Sequence, residues 1–289
     1  DEIIFHLGKG YDFLWSSTKH SLLFNGNHES NLDDFDKYLD LQKYYFKNKK
    51  NELGGYSILT NKNVILGMDI GPPPENKFSE NYQSGPLSFE LIFKGKKLIC
   101  NSGYFQDTKK KLNLISRSTA AHSTLVLNNK SVANFKKDFK GKIFNKFNFK
   151  TLNKNVVFEK NYWLIKSSHD GYSRNYGTIH ERILEFFPEK NKFVGTDKLI
   201  KNKNFIPTSF EIRFHLMPST KVTKTQNKNI ILIELENSAW RFYSENASID
   251  VETGLYFGNK NNYLENQNIF IFGSTEKNEQ EIKWEIIKI

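Results

Sequence analysis

The sequence predicts an all-β protein: a large antiparallel β-sandwich of two stacked sheets, preceded by a short connector of strands and one helix. Three observations lead there. From Tyr56 onward, short apolar runs recur, each bounded by Asn, Lys or Gly. No helical stripe of ordinary length follows residue 50. The chain has 25 Phe and 13 Tyr in 289 residues, enough to build broad apolar faces although only 38% of it is hydrophobic.

Taken in order, residues 1–28 read as strands at Ile3–Phe5, Tyr11–Trp15 and Ser21–Phe24, separated by turns. Residues 30–47 read as a helix. Ser30 or Asn31 caps it, Asp33, Asp34 and Asp36 suit its N-terminal dipole, and Leu32, Phe35, Leu39 and Tyr45 form its apolar stripe. Gly54 and Gly55 stop it. Residues 1–54 are therefore expected to be a connector and 55–289 the sandwich. Residues 56–60 and 64–68 flank a hairpin turn, and Pro72–Pro74 forces an extended segment. Strands then follow at 87–93, 97–101, 123–127, 142–150, 155–168, 180–187, 192–199, 208–216, 229–235, 239–243, 255–257, 268–272 and 282–288. Many strands joined by short turns imply two stacked sheets.

The net charge of +10 favours a polyanionic partner: nucleic acid, anionic lipid or acidic polysaccharide. Lysine reads as spread over the surface, apart from runs at 47–50 and 109–111. No apolar run is long enough for a spanning helix, and no signal-peptide pattern opens the chain. The first residue is Asp1 rather than Met, as expected of a processed or truncated product. The single cysteine, Cys100, forms no internal disulfide.

Only five of the 42 basic residues are arginine: Arg117, Arg174, Arg182, Arg213 and Arg241. In a lysine-rich background, arginine is expected where its planar fork is needed. The first four lie within five residues of His122, His169, His180 or His215. They are candidates to grip a carboxylate or to orient a catalytic group, and equally to close salt bridges at the core edge.

Leu87–Leu91, Leu98–Gly103 and Arg117–Asn128, followed by Ser168–Arg174, His180–Arg182, Ile212–Pro218 and Trp240–Phe242, carry a family likeness. In this order and spacing, from about Gly55 to Ile289, they resemble the C-terminal β-domain of the heparinase II/III-like polysaccharide lyases. The resemblance implies a bacterial protein with a supersandwich fold, in which a helical toroid upstream closes a cleft over the sandwich. It implies β-elimination on uronic-acid polysaccharides, with the uronate carboxylate neutralised, the C5 proton removed and the leaving O4 protonated. Part of that machinery belongs to the toroid, so this stretch alone is expected to be inactive.

Matched residue by residue, the family's catalytic histidine falls on Asn81, its metal-binding histidine on Gln83, an aspartate on Gly85, the metal aspartate on Asn101 and the last histidine on His122. Amides bind zinc poorly, so no metal or other cofactor is expected. Gln83 and Asn101 are expected to hydrogen-bond His122 instead. His122 is a candidate proton-transfer group if it titrates near neutrality, and Asn81 can still donate to a carboxylate.

His169 and Tyr172 form the second catalytic candidate, with Gly171 re-aiming one of them and Tyr172 sharing a sugar-binding face with Arg174. His180 with Arg182, and Arg213 with His215, sit two residues apart and each share a strand face, so they are candidate walls of a substrate groove. Two alternatives remain open: a non-catalytic carbohydrate-binding or structural module, and nucleic-acid binding. The latter rests on charge alone, without an aromatic-basic RNA motif, and is not expected. No P-loop, dinucleotide fingerprint or nucleophile elbow appears. The compartment, periplasm or cytoplasm, stays open.

Overall fold

The computed structural model describes residues 52–53, 55–75, 79, 81–107, 110–139, 142–236, 238–259, 262–275 and 280–289. The strands and helix expected in residues 1–50 lie outside the described residues.

Two stacked layers form the body. The first begins as a five-stranded antiparallel sheet: β1 (Glu52–Leu53), β2 (Tyr56–Thr60), β3 (Val64–Asp69), β4 (Phe89–Phe93) and β5 (Lys96–Ile99), in that order. The sheet continues past β5, because the Cys100 N–H donates to the His215 carbonyl at 2.9 Å. His215 ends β13 (Ser209–His215), which lies between β6 (Leu125–Leu127) and β18 (Asn262–Ser274), with β17 (Ser248–Asn259) outermost. The second layer has eight strands. In order across the sheet they are β14 (Lys221–Lys224), β15 (Ile230–Leu235), β16 (Ser238–Ser244), β19 (Gln280–Lys288), β12 (Lys192–Lys201), β11 (Thr178–Phe187), β10 (Trp163–His169) and the edge strand β9 (Thr151–Phe158). A separate two-stranded ribbon joins β7 (Phe135–Lys137) to β8 (Ile143–Asn145).

Aromatic side chains fasten the layers. Phe89 of β4 stacks on Trp284 of β19 at 5.5 Å, Phe214 of β13 meets the same indole edge-on at 4.8 Å, and Phe93 meets Trp240 of β16 at 4.9 Å. Each such pair contributes about 0.5–1.5 kcal/mol beyond its area burial. Alternation places Phe89, Leu91 and Phe93 in this core and turns Glu90 to the other face.

The predicted two-sheet sandwich is thus the observed architecture. Some strands differ in extent. The run 155–168 is a hairpin, β9 and β10, turned at residues 159–162, and 255–257 is only part of the twelve-residue β17. The polar strands β7 and β14 had no counterpart in the sequence reading. After residue 50 the described helices are short: α1 (Lys111–Ser116), α2 (Ser173–Tyr176) and two 3₁₀ turns. Among the described residues no helix is long and apolar enough to cross a membrane.

Candidate functional site

Three connections meet at one end of the first layer: the loop from Ser79 to Leu87 before β4, the segment after β5, and the 3₁₀ turn Thr119–Ala121 that delivers His122. Short polar side chains tie them together. The Ser84 N–H donates to the Arg117 carbonyl at 2.9 Å, and the Ser84 and Thr119 hydroxyls share a hydrogen bond of 3.0 Å. The Ser102 N–H and hydroxyl both donate to the Ala121 carbonyl, at 2.9 and 2.8 Å. Arg117 is fully buried. Its Nε donates to the Tyr82 carbonyl at 2.8 Å and its Nη2 to the Ser79 carbonyl at 3.0 Å, with the guanidinium 4.4 Å from the Phe135 ring. The expected carboxylate-gripping arginine is instead a brace that shapes the loop carrying Asn81 and Gln83.

His122 is 5% exposed, and its Nδ1 bonds the Ser118 carbonyl at 2.8 Å. A carbonyl only accepts, so Nδ1 carries the proton and Nε2 keeps its lone pair. Burial lowers the His122 pKa to about 4, so the ring is neutral at pH 7 and is not poised near neutrality. Gly85 makes room for it: a Cβ at that position would lie 2.5 Å from Cδ2 of His122. An aspartate there is incompatible with this ring placement.

The expected amide–histidine network does not form. Asn101 Oδ1 accepts from the Ser123 N–H at 2.8 Å, and Asn101 Nδ2 donates to Glu90 Oε1 at 3.4 Å. Glu90, also paired with Lys97 at 3.1 Å, is raised to about 7 by burial. Neither Glu90 nor Tyr104 featured among the sequence candidates, yet the Tyr104 hydroxyl donates to Asn81 Oδ1 at 3.4 Å. Asn81, Gln83 and Tyr104 are all partly exposed. His215, expected on a groove wall, is buried, and its Nε2–H donates to the Ala120 carbonyl at 3.0 Å, which supports the turn before His122.

A second cluster lies between the layers. The Gly171 N–H donates to His169 Nδ1 at 3.1 Å, His169 Nε2 meets His180 Nδ1 at 3.3 Å, and His180 Nε2 meets Asp197 Oδ1 at 2.6 Å. One proton arrangement satisfies the whole row: both rings neutral, each protonated on Nε2. Burial, the largest effect, lowers both histidines. Arg182 straddles the same carboxylate, with Nε to Oδ1 at 2.8 Å and Nη2 to Oδ2 at 3.1 Å, while the Trp284 indole donates to Oδ2 at 2.9 Å. Arg182 Nη1 then reaches across to the Leu87 and Ser123 carbonyls, at 3.0 and 2.7 Å. Every side chain in this row is at most 2% exposed.

His180 and Arg182 do share a strand face, but it is the interior one, out of reach of a polymer. His169 and Tyr172 are buried there too, and the Tyr172 hydroxyl donates to the Leu125 carbonyl at 3.1 Å. The expected Tyr172–Arg174 sugar face is not formed, since Arg174 lies exposed on α2 while Tyr172 points into the core. Arg213 stands on the outer face of β13, paired with Glu211 at 2.5 Å and with Glu252. Arg241 pairs with Glu285 at 2.9 Å. The candidate residues thus separate into the partly exposed pair Asn81 and Tyr104 with His122 buried against Gly85 of the same loop, a closed inter-sheet row, and scattered surface arginines.

The sequence profile of the family described as "Heparinase II/III-like, C-terminal" matches residues 48–285. The chain belongs to this family. Solved structures of related architecture agree on the fold. Heparan sulfate lyase HepC from Pedobacter heparinus superposes with a TM-score of 0.70 at 17% identity, over 89% of this chain and 41% of that one. A heparinase III crystal structure gives 0.68 at 17% identity, over 93% of this chain and 44% of that one. The chain therefore spans about two fifths of the length of these lyases. Among curated proteins, no sequence matches.

Against the metal that the family resemblance implies, the residues present do not fit. Among the described residues no group of three or more His, Cys, Asp or Glu side chains is arranged to hold a metal ion. The Asn101 oxygen already accepts from Ser123 N–H, which leaves His122 Nε2 as the one strong nitrogen donor of the set.

Proposed function

We propose that this chain is the sandwich module of a polysaccharide lyase that cleaves uronic-acid-containing glycans by β-elimination, and that it works against a helical domain supplied elsewhere in the full-length protein. The observation that carries the proposal is the family match over 48–285 together with the packing of the Asn81 loop on His122. In the reaction a base removes the C5 proton, the C4–O4 bond breaks, a C4–C5 double bond forms, and the departing O4 takes up a proton. Asn81 is partly exposed and its Oδ1 accepts from the Tyr104 hydroxyl, which turns its Nδ2–H donors to the task of neutralising the uronate carboxylate and so acidifying the C5 proton. His122 is a buried, neutral ring fixed through Nδ1, and in this reading its Nε2 lone pair accepts a hydrogen bond from the sugar or from the opposing domain. Arg117, His215 and Arg182 act as positioning residues.

The test is ultraviolet absorbance of the unsaturated uronate product. Full-length protein is incubated with heparan sulfate, chondroitin sulfate, hyaluronan and alginate. The reading expects product from at least one, and loss of most of the rate in Asn81→Ala. A second reading, glycan binding without turnover, is motivated by the amides at Asn81, Gln83 and Asn101. It predicts retained binding and a flat trace with every polymer.

A further inference from the structure

Charge on this molecule is far less even than its composition suggests. Residues 130–158 contain eight lysines and one aspartate, a net +7 out of the chain's +10. This stretch comprises the β7–β8 ribbon, the extended passage after it and the edge strand β9. Lys136, Lys137, Lys146, Lys150 and Lys154 are all exposed, and none has a carboxylate within ion-pair distance among the described residues. Elsewhere lysines are scattered singly, as at Lys62, Lys203 and Lys228, or are paired. Lys96, Lys166, Lys192, Lys198, Lys221 and Lys283 each meet a glutamate at 2.6–3.2 Å. Lysine on an edge strand guards against strand addition, which accounts for Lys154. It does not account for Lys136, Lys137 and Lys146, which stand on or beside a separate ribbon without an ion pair among the described residues.

The ribbon is latched to the candidate site. Its Phe135 ring lies 6.4 Å from Tyr82 and under the Arg117 guanidinium. The Asn145 N–H donates to the Ser79 hydroxyl at 2.8 Å, and the Ala133 N–H to the Ser84 hydroxyl at 3.0 Å. The loop that presents Asn81 and Gln83 therefore rests on the base of the basic ribbon. A polymer longer than the site finds this surface next to it.

We propose that the β7–β8 ribbon and the edge strand β9 form a secondary binding surface for an acidic polysaccharide, holding the chain beyond the sugars at the reacting bond. The proposal rests on the lyase reading for the identity of the ligand. The surface itself follows from charge and position. Its cations are all lysine, compact point charges suited to the sulfates and carboxylates of a flexible glycan. It carries no arginine fork of the kind that reads base edges.

The test compares two triple variants of equal charge change in the full-length protein. One combines Lys136→Glu, Lys137→Glu and Lys146→Glu; the other combines Lys62→Glu, Lys203→Glu and Lys228→Glu, exposed residues outside the patch. Binding of fluorescent heparin is measured by anisotropy across a salt series, with hyaluronan, dextran and duplex DNA as competitors. The ribbon variant is expected to lose about tenfold or more in affinity with a shallower salt dependence, because fewer counterions are released. The control variant is expected to lose no more than about twofold, and dextran to leave binding untouched. Equal losses in the two variants overturn the proposal, since net charge alone then explains binding. DNA displacing heparin at lower concentration than any glycan overturns it in favour of a nucleic-acid partner. Unsaturated product is followed in the same samples. Ribbon-dependent heparin binding without product sinks the lyase reading and leaves the surface standing, whereas product with unchanged affinity in the ribbon variant sinks the surface alone.

Discussion

Asp197→Asn is the sharpest probe of how this sandwich is held together. The Asp197 carboxylate is fully buried and accepts four hydrogen bonds, two from Arg182, one from His180 and one from Trp284. Burial alone would raise its pKa, but Arg182 and the bond from His180 outweigh it and hold the group well below the ordinary carboxylate range. The substitution keeps the shape, turns one acceptor into a donor facing donors, and leaves the Arg182 cation in a dry core without its counter-charge. Removing one member of a buried pair costs roughly 3–5 kcal/mol, a large share of the roughly 5–15 kcal/mol that stabilises a domain. Urea unfolding followed by tryptophan fluorescence reads the loss directly. The double variant Arg182→Met/Asp197→Asn removes the stranded charge, so its loss is expected to fall short of the sum of the singles by about 2 kcal/mol. A single-variant loss below about 1 kcal/mol, or strict additivity, refutes the claim that this row is a charge-compensated strut.

Three further outcomes follow from the same geometry. Gly85→Ala drives a methyl into the His122 ring and is expected to cost about 1–3 kcal/mol, with a displaced His122 resonance; an unchanged midpoint and spectrum would contradict the packing. His122 has a folded pKa of about 4, below its unfolded value, so the unfolded state binds more protons between about pH 6.5 and 4, and stability falls as pH drops through that window. His122→Gln should make that part of the acid-unfolding profile shallower, while the lowered histidines His169, His180 and His215 still act in the same sense and the raised carboxyls of Glu90 and Asp69 in the opposite one. Arg174→Ala, on the exposed face of α2, should leave stability within about 0.5 kcal/mol; a larger loss on thermal melting would reveal a buried role.

Much of the fold could be read from the sequence because period-two alternation and Asn, Lys or Gly turns mark strands that bury one face. Leu-Ser-Phe-Glu-Leu and Trp-Arg-Phe became β4 and β16 for that reason. Two short lysine-rich strands, β7 and β14, offer too few apolar residues to mark them, and the expectation covers only 255–257 of β17, although Ile249 and Val251 alternate with polar residues before it. The site was legible only in its residue types. Scarce arginines do mark special positions, but the fork of Arg117 went to backbone carbonyls and that of Arg182 to a buried carboxylate. Which of two strand faces looks inward depends on the opposite sheet, and local sequence does not record it. Glu90 carried no signal beyond its place in the Leu87–Leu91 motif, and Tyr104 lies just outside the Leu98–Gly103 motif. The basic ribbon was countable along the chain, but its significance comes from its place against the Asn81 loop, a property of the folded surface.

The most direct test of the site assignment is an amide and indole NMR titration of the full chain with a uronate oligosaccharide. The account predicts that resonances of Asn81, Gln83 and Tyr104, with their neighbours in the loop before β4, move together, while the Trp284 indole stays fixed in the inter-sheet row. Shifts centred on Trp284 and His180 with a silent Asn81 loop would contradict it.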